Sequence, residues 1–175
     1  VYERGTIYGH GGGYYGISSP VEIRGSVFRE NVASSSGGGV YFAGSDVAMS
    51  ATPLLYNSLV TGNKAGRDGG GVSVYLYAEP TISNCTIADK KVTGAFGDGP
   101  GFGGGLYVAY GSNAKVIDSI IWDNLGVEGA QVAIGCATLT ATETSGLTVS
   151  YSDIRPAYDP NQMVDPLRAV SKANV

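Results

Sequence analysis

One phrase recurs along this chain with drift: an apolar–small–apolar stretch ending in a turn, then a run of small residues, then a second strand-like stretch. It reads SVFREN…GGGVYF over 26–42, SLVTGN…GGGVSV over 58–74, CTIADK…GGGLYV over 85–108 and SIIWDN…GAQVAI over 119–134. Self-similarity at a period of about 20–50 residues marks a solenoid, in which each repeat buries its apolar face only against its neighbours.

Aligned on the last apolar residue before the turn, the coils fall at Ile7, Phe28, Val60, Ile87, Ile121 and Ile154, in steps of 21, 32, 27, 34 and 33 residues. Five positions upstream stand Ile23, Leu55, Ile82, Val116 and Val149, all aliphatic, and two upstream stand Ser26, Ser58, Cys85, Ser119 and Ser152, all small. Such columns arise when equivalent positions stack at the ~4.8 Å spacing of hydrogen-bonded strands. Alternation then sends Ile23, Ser26 and Phe28 inward and Arg24, Val27 and Arg29 outward. A second wall follows each glycine triplet, with Val40, Phe42, Val72, Val74, Leu106 and Val108 inward and Tyr41, Ser73 and Tyr107 outward. Helix is excluded by β-branched and aromatic residues, by the triplets, and by Pro20, Pro53 and Pro80 at corners. The glycines permit positive φ and close packing between coils. Longer coils carry their excess in loops, notably 93–100. The reading is a right-handed parallel β-helix of about five coils over residues 1–155. The proline-bearing stretch 156–175 is expected to cap the last coil. Val1 begins inside a coil, so further protein or another subunit is expected at that edge.

FREN at 28–31 followed by GGGV at 37–40 resembles the paired FxxN and GGA(I/L/V) motifs of polymorphic outer-membrane-protein repeats, with Gly39, Gly71 and Gly105 where those repeats prefer Ala. SYSDIR…VDPL at 150–167 is similar to the end of β-helix repeat proteins from bacterial surfaces. The resemblance implies a pectate-lyase-like scaffold, which carries adhesins, structural proteins, lyases and hydrolases alike.

The chain has 15 acidic and 11 basic residues among 175, a net charge of −4, and no basic stripe for a nucleic-acid backbone. Twelve tyrosines and 43% hydrophobic residues exclude a disordered tail. No run has membrane-spanning length and no signal-peptide pattern opens the chain. Sparse charge with abundant Gly, Ser, Thr, Asn and Tyr suits an extracellular or cell-surface setting.

Asn31, Asn63 and Asn124 fall at one turn position, with His10 and Lys90 expected in the same slot of other coils. Stacked Asn tolerates left-handed backbone and bonds its amide to the next coil. Just before that slot, Glu30, Gly62, Asp89 and Asp123 share a position, which puts Asp89 and Asp123 on neighbouring coils. Oxygen-rich turns bind calcium, and carboxylates roughly 5 Å apart match a retaining glycosidase pair. The resemblance adds Lys90 or Lys91 as a lyase base. Solvated turn carboxylates bonded to local backbone are the simpler account. Calcium is the one cofactor the sequence leaves open.

Two surfaces are candidates for a ligand or partner. Tyr15, Tyr41 and Tyr107 are expected to form an outward aromatic strip, which stacks on sugar rings, meets a protein, or simply stabilises the wall. Val27, Leu59 and Ile120, with Thr86 in their row and Trp122 two residues beyond Ile120, form an outward apolar strip to be covered by the tail or a second chain. His10 has no partner at a recognisable spacing, and the glycine triplets lack a phosphate-loop setting. Cys85 is expected in the core and Cys136 in a turn, with no disulfide between them. Asn84-Cys85-Thr86 is formally a glycosylation sequon. The leading functional expectation is a non-catalytic structural or adhesive module, an adhesin or filament-forming scaffold that meets copies of itself, another surface protein or polysaccharide. The alternative is a carbohydrate-active enzyme, a lyase or hydrolase, and a third is the stalk of a longer protein.

Overall fold

The computed structural model describes residues 1–46, 50–93, 101–135 and 144–155. They form a solenoid of short strands, every pairing parallel, in four sheets. Each full turn visits the sheets in the same order. The first is six-stranded: Tyr2–Glu3, Val27–Arg29, Leu59–Thr61, Thr86–Ala88, Ile120–Trp122 and Asp153–Arg155. The second is a narrow four-stranded ribbon from Thr6–Ile7 to Lys91–Val92. The third follows the glycines, from Tyr14–Ile17 through Val40–Ala43, Val72–Tyr75 and Leu106–Val108 to Val132–Ile134. The fourth runs from Glu22–Arg24 through Leu54–Tyr56, Thr81–Ser83 and Asn113–Ile117 to Gly146–Ser150. Pro53 and Pro80 each stand immediately before a strand of that fourth sheet. There the missing N–H removes no ladder bond.

The aliphatic column stacks as its spacing requires. Ile23, Leu55, Ile82, Val116 and Val149 are direct partners in successive strands, and Phe28, Val60, Ile87, Ile121 and Ile154 form a second column. With Val40, Phe42, Val72, Val74, Leu106 and Val108 from the third sheet they fill the interior, and Val149 on the last described coil is exposed. Cys85 lies in this core as expected.

The first coil departs from its expected register. Tyr2, not Ile7, pairs with Phe28 and stacks its ring on it at 4.9 Å; Ile7 pairs with Ala33 in the second sheet and is exposed. The first step is therefore 26 residues rather than 21. Both Tyr2 and Ile7 are apolar residues near the start of the coil, so apolarity alone does not separate them. The shift also removes His10 from the asparagine slot, where Gly5 stands and donates its N–H to Asn31 Oδ1 at 2.9 Å. The loop 94–100, Cys136 and the stretch 156–175 lie outside the described residues.

Side-chain ladders at two corners and a glycine corner hold the coils in register. Between the fourth and first sheets, Ser58, Ser119 and Ser152 each accept the N–H of the equivalent residue one coil earlier (Ser26, Cys85 and Ser119) at 3.0–3.1 Å. Each hydroxyl, Ser26 included, donates to the carbonyl two residues before it. Between the first and second sheets, Asn63 Oδ1 accepts from both the N–H and the amide of Asn31, at 2.9 and 3.0 Å, and Asn63 Nδ2 donates to Phe28 O. Both ladders turn buried polar atoms into links between coils. The third glycine of each triplet faces the asparagine ladder. A Cβ on Gly39 would stand 2.8 Å from Gly71 O and 3.1 Å from Asn63 Nδ2. In the fifth coil Gln131 replaces that glycine and its Oε1 takes Asn124 Nδ2 at 2.7 Å.

Candidate functional site

The tyrosine row lies on the outer side of the third sheet in the expected register, Tyr15 against Tyr41, Tyr41 against Ser73, Ser73 against Tyr107. It is not an exposed strip. Tyr15 is 50% exposed, but Tyr41 is 5% and Tyr107 6% exposed. Tyr75, displaced by two positions along its strand, fills the space beside Ser73 with its ring 5.4 Å from Tyr41 and 5.5 Å from Tyr107. Tyr110 stacks on Tyr75, and Phe102 stacks on Tyr107. The row is thus a second, aromatic core outside the wall, together with Ala43, Ala109 and Ala133. Burial pushes the Tyr41 hydroxyl up to about 12.

A polar row seals one margin of this aromatic layer. His10, Ser36, Asp68, Phe102 and Glu128 precede the first glycine of successive coils and stack on one another. Asp68 is buried: its Oδ2 accepts Tyr75 O–H at 2.7 Å and faces Arg67 Nε at 3.4 Å, while Oδ1 accepts the Phe102 N–H. Burial raises the Asp68 carboxyl above the usual carboxylate range, opposed by those hydrogen bonds and by Arg67. With both oxygens engaged within the protein, Asp68 is a staple across coils. His10 packs at 4.5 Å on Tyr41, and burial followed by the Arg67 charge lowers its pKa. This row escaped the sequence reading because its members share no residue type; only their place before the glycine identifies them.

The outer face of the six-stranded sheet is different. Val27, Leu59, Thr86 and Ile120 are consecutive partners in one outward row, and Arg29, Thr61, Ala88 and Trp122 in the next. Leu59, Ile120 and Trp122 are exposed; Val27, Thr86, Thr61 and Ala88 are half-buried. The structure brings the whole predicted apolar strip together on one flat face. At its N-terminal margin ion pairs join adjacent coils, Arg29 with Glu3 and Arg4 with Glu30.

Asp89 and Asp123 do stand at equivalent turn positions on neighbouring coils, following the paired Ala88 and Trp122. Both are exposed, and the whole row is left-handed: φ is 54° at Arg4, 55° at Glu30, 63° at Gly62, 58° at Asp89 and 53° at Asp123. Aspartate tolerates that conformation better than most residues, which accounts for its presence there. Among the described residues no three His, Cys, Asp or Glu side chains group to hold a metal. Lys91 is exposed, but Lys90, the other residue considered as a base, is only 1% exposed.

Lys90 occupies the asparagine slot of the fourth coil. Its Nζ donates to Ala88 O at 2.5 Å, and its stem packs on Gly71. Burial pushes its amine down to about 6, with Asp89 opposing. Asn124, one coil on, donates to Ile87 O, but its buried Oδ1 finds no donor among the described residues.

A family model of the right-handed β-helix region matches residues 6–156. The chain belongs to that family. The match runs from the first strand of the second sheet, Thr6–Ile7, through the last described strand, Asp153–Arg155, and supplies the hand of the solenoid. No curated protein and no solved structure matches the chain. Among the described residues no helix is long and apolar enough to cross a membrane.

Proposed function

We propose that this β-helix is a non-catalytic structural and adhesive module, working outside the cell or on its surface, that associates with copies of itself through the outer face of the six-stranded sheet. The observation that carries this reading is the flat outward patch of Leu59, Ile120 and Trp122, interleaved with Val27, Thr61, Thr86 and Ala88. A second copy laid face to face with its coil order reversed sets Val27 opposite Ile120, Leu59 opposite Thr86, and the Arg29 guanidinium opposite the Trp122 ring. Each pairing matches size or places a cation over an aromatic face.

Size decides the strength of the contact. Four strands at ~4.8 Å, each presenting about three residues at ~3.3 Å, give roughly 190 Å² per copy. Stable dimers bury about 800 Å² per partner, so one module binds weakly and firm attachment requires many contacts in parallel. That behaviour suits a surface scaffold.

Sedimentation velocity from roughly ten micromolar to one millimolar tests the reading. The sedimentation coefficient of the native chain should rise with concentration, and that of the Leu59→Lys, Ile120→Lys double variant should stay flat. A native chain that remains monomeric throughout refutes self-association. Release of reducing or unsaturated sugar ends from a polysaccharide, lost in Asp89→Asn with Asp123→Asn, would move the chain to the enzymatic reading.

A further inference from the structure

The fourth coil departs from the residue types of both side-chain ladders at once. Cys85 replaces serine at one end of strand Thr86–Ala88, so the Ser58 N–H meets sulfur where Ser26, Cys85 and Ser119 each meet a hydroxyl. The thiol keeps the serines' contact to the carbonyl two residues before it, Ser83 O at 3.2 Å, and also lies 3.4 Å from Leu55 O. Lys90 replaces asparagine just beyond the other end, contributes no amide to the ladder and leaves Asn124 Oδ1 orphaned. A strand whose side-chain links to the next coil are reduced to the Cys85 N–H on Ser119 Oγ and Asn124 Nδ2 on Ile87 O is a weakened joint in a stack whose stability is the sum of neighbouring interfaces.

We infer that the segment Cys85–Lys90 is a pH-sensitive joint of the solenoid, closed while the Lys90 amine is neutral and released as the amine takes up a proton. The slot disfavours a cation. Lys90 lies between Asn63 and Asn124 and against Gly71, and among the described residues the charge acting on it is that of Asp89, exposed on the same turn. Asp123 on the following turn is also solvent-exposed, the preceding turn carries Gly62, and the flanking Lys64 and Lys91 are exposed cations that offer no stabilisation. The amine is pushed down to about 6 when closed, against 10.5 for the free side chain, so the open form binds the proton more tightly. As pH falls between those values opening becomes more favourable, about tenfold per pH unit; below pH 6 both forms are protonated and the effect levels off. The joint therefore works across neutral pH, and the solenoid tightens in alkaline surroundings.

Cys85, buried in the segment itself, is a native reporter. The full chain is labelled with a pyridyl disulfide at pH values from about 9 to 5. Modification is scored on the Cys85 peptide by mass spectrometry, normalised to free cysteine, with far-UV circular dichroism confirming that the fold persists. In the native chain the normalised rate should climb by roughly two to three orders of magnitude from pH 9 to pH 6 and then flatten. In Lys90→Asn and Lys90→Met it should be low and independent of pH. A flat native profile, or an equal climb in both variants, overturns the joint.

Discussion

Replacing Asn63 by alanine tests the asparagine ladder at its best-formed step. The substitution removes three hydrogen bonds: two that Asn63 Oδ1 accepts from Asn31, and one that Asn63 Nδ2 donates to Phe28 O. The Asn31 amide keeps a second acceptor, Tyr2 O, but the buried Asn31 N–H is left without its partner. An orphaned buried donor costs about 1–3 kcal/mol and each further lost bond about 1, so the expected loss is about 3–5 kcal/mol. Urea titration followed by circular dichroism should show a large fall in midpoint at unchanged slope. Asn63→Asp sharpens the test, because it keeps the acceptor for Asn31 and, while ionised, loses the donor to Phe28 O. Its carboxyl, protonated in the folded state at a raised pKa, should make this variant gain stability as pH falls, while Asn63→Ala should not. A cost below about 1 kcal/mol for Asn63→Ala would refute the idea that the ladder holds the coils together.

Gly39→Ala should cost about 2–4 kcal/mol in the same titration, because its Cβ would meet Gly71 O at 2.8 Å and Val60 Cγ1 at 2.9 Å. Gly62→Ala, where the nearest atom is Glu30 Cγ at 3.4 Å, should cost only the left-handed backbone penalty of about 1 kcal/mol. Cys85→Ser should raise the melting temperature slightly, by giving the Ser58 N–H an oxygen, about 0.5–1 kcal/mol. Asp68 carries a raised carboxyl pKa, so the native state holds its proton more tightly than the unfolded chain. Stability should therefore fall as pH rises from about 4 through the folded-state value, and Asp68→Asn should flatten that slope in melting curves at pH 3–7.

The fold was legible because a solenoid repeats its constraints. The aliphatic column at 23, 55, 82, 116 and 149 and the serine and asparagine corners each announce one stacked position in several places, so a lapse such as Cys85 does not hide the pattern. The first coil was misread where the pattern has one example and two apolar candidates, Tyr2 and Ile7. The tyrosine strip was misread for another reason. Alternation gives the side a residue faces, but what covers it comes from Tyr75, Tyr110 and Phe102, which are not repeated from coil to coil. Lys90 was placed in the right slot, yet its burial follows from the neighbours of that slot, Gly71 and the two asparagines, and not from its own residue type. The apolar face of the six-stranded sheet could be read because strand alternation alone determines it.

The central claim is that equivalent residues of successive coils lie directly over one another. Glu22 and Thr148 are outward and exposed on the fourth sheet, connected through Leu54, Thr81 and Lys115 by four successive parallel pairings. Four steps of ~4.8 Å place their backbones about 19 Å apart across more than a hundred residues of chain. Spin labels at these two positions, read by pulsed dipolar spectroscopy, should give a single narrow distribution near 20 Å. A broad distribution, or one centred beyond about 30 Å, would contradict stacked coils and every surface derived from them.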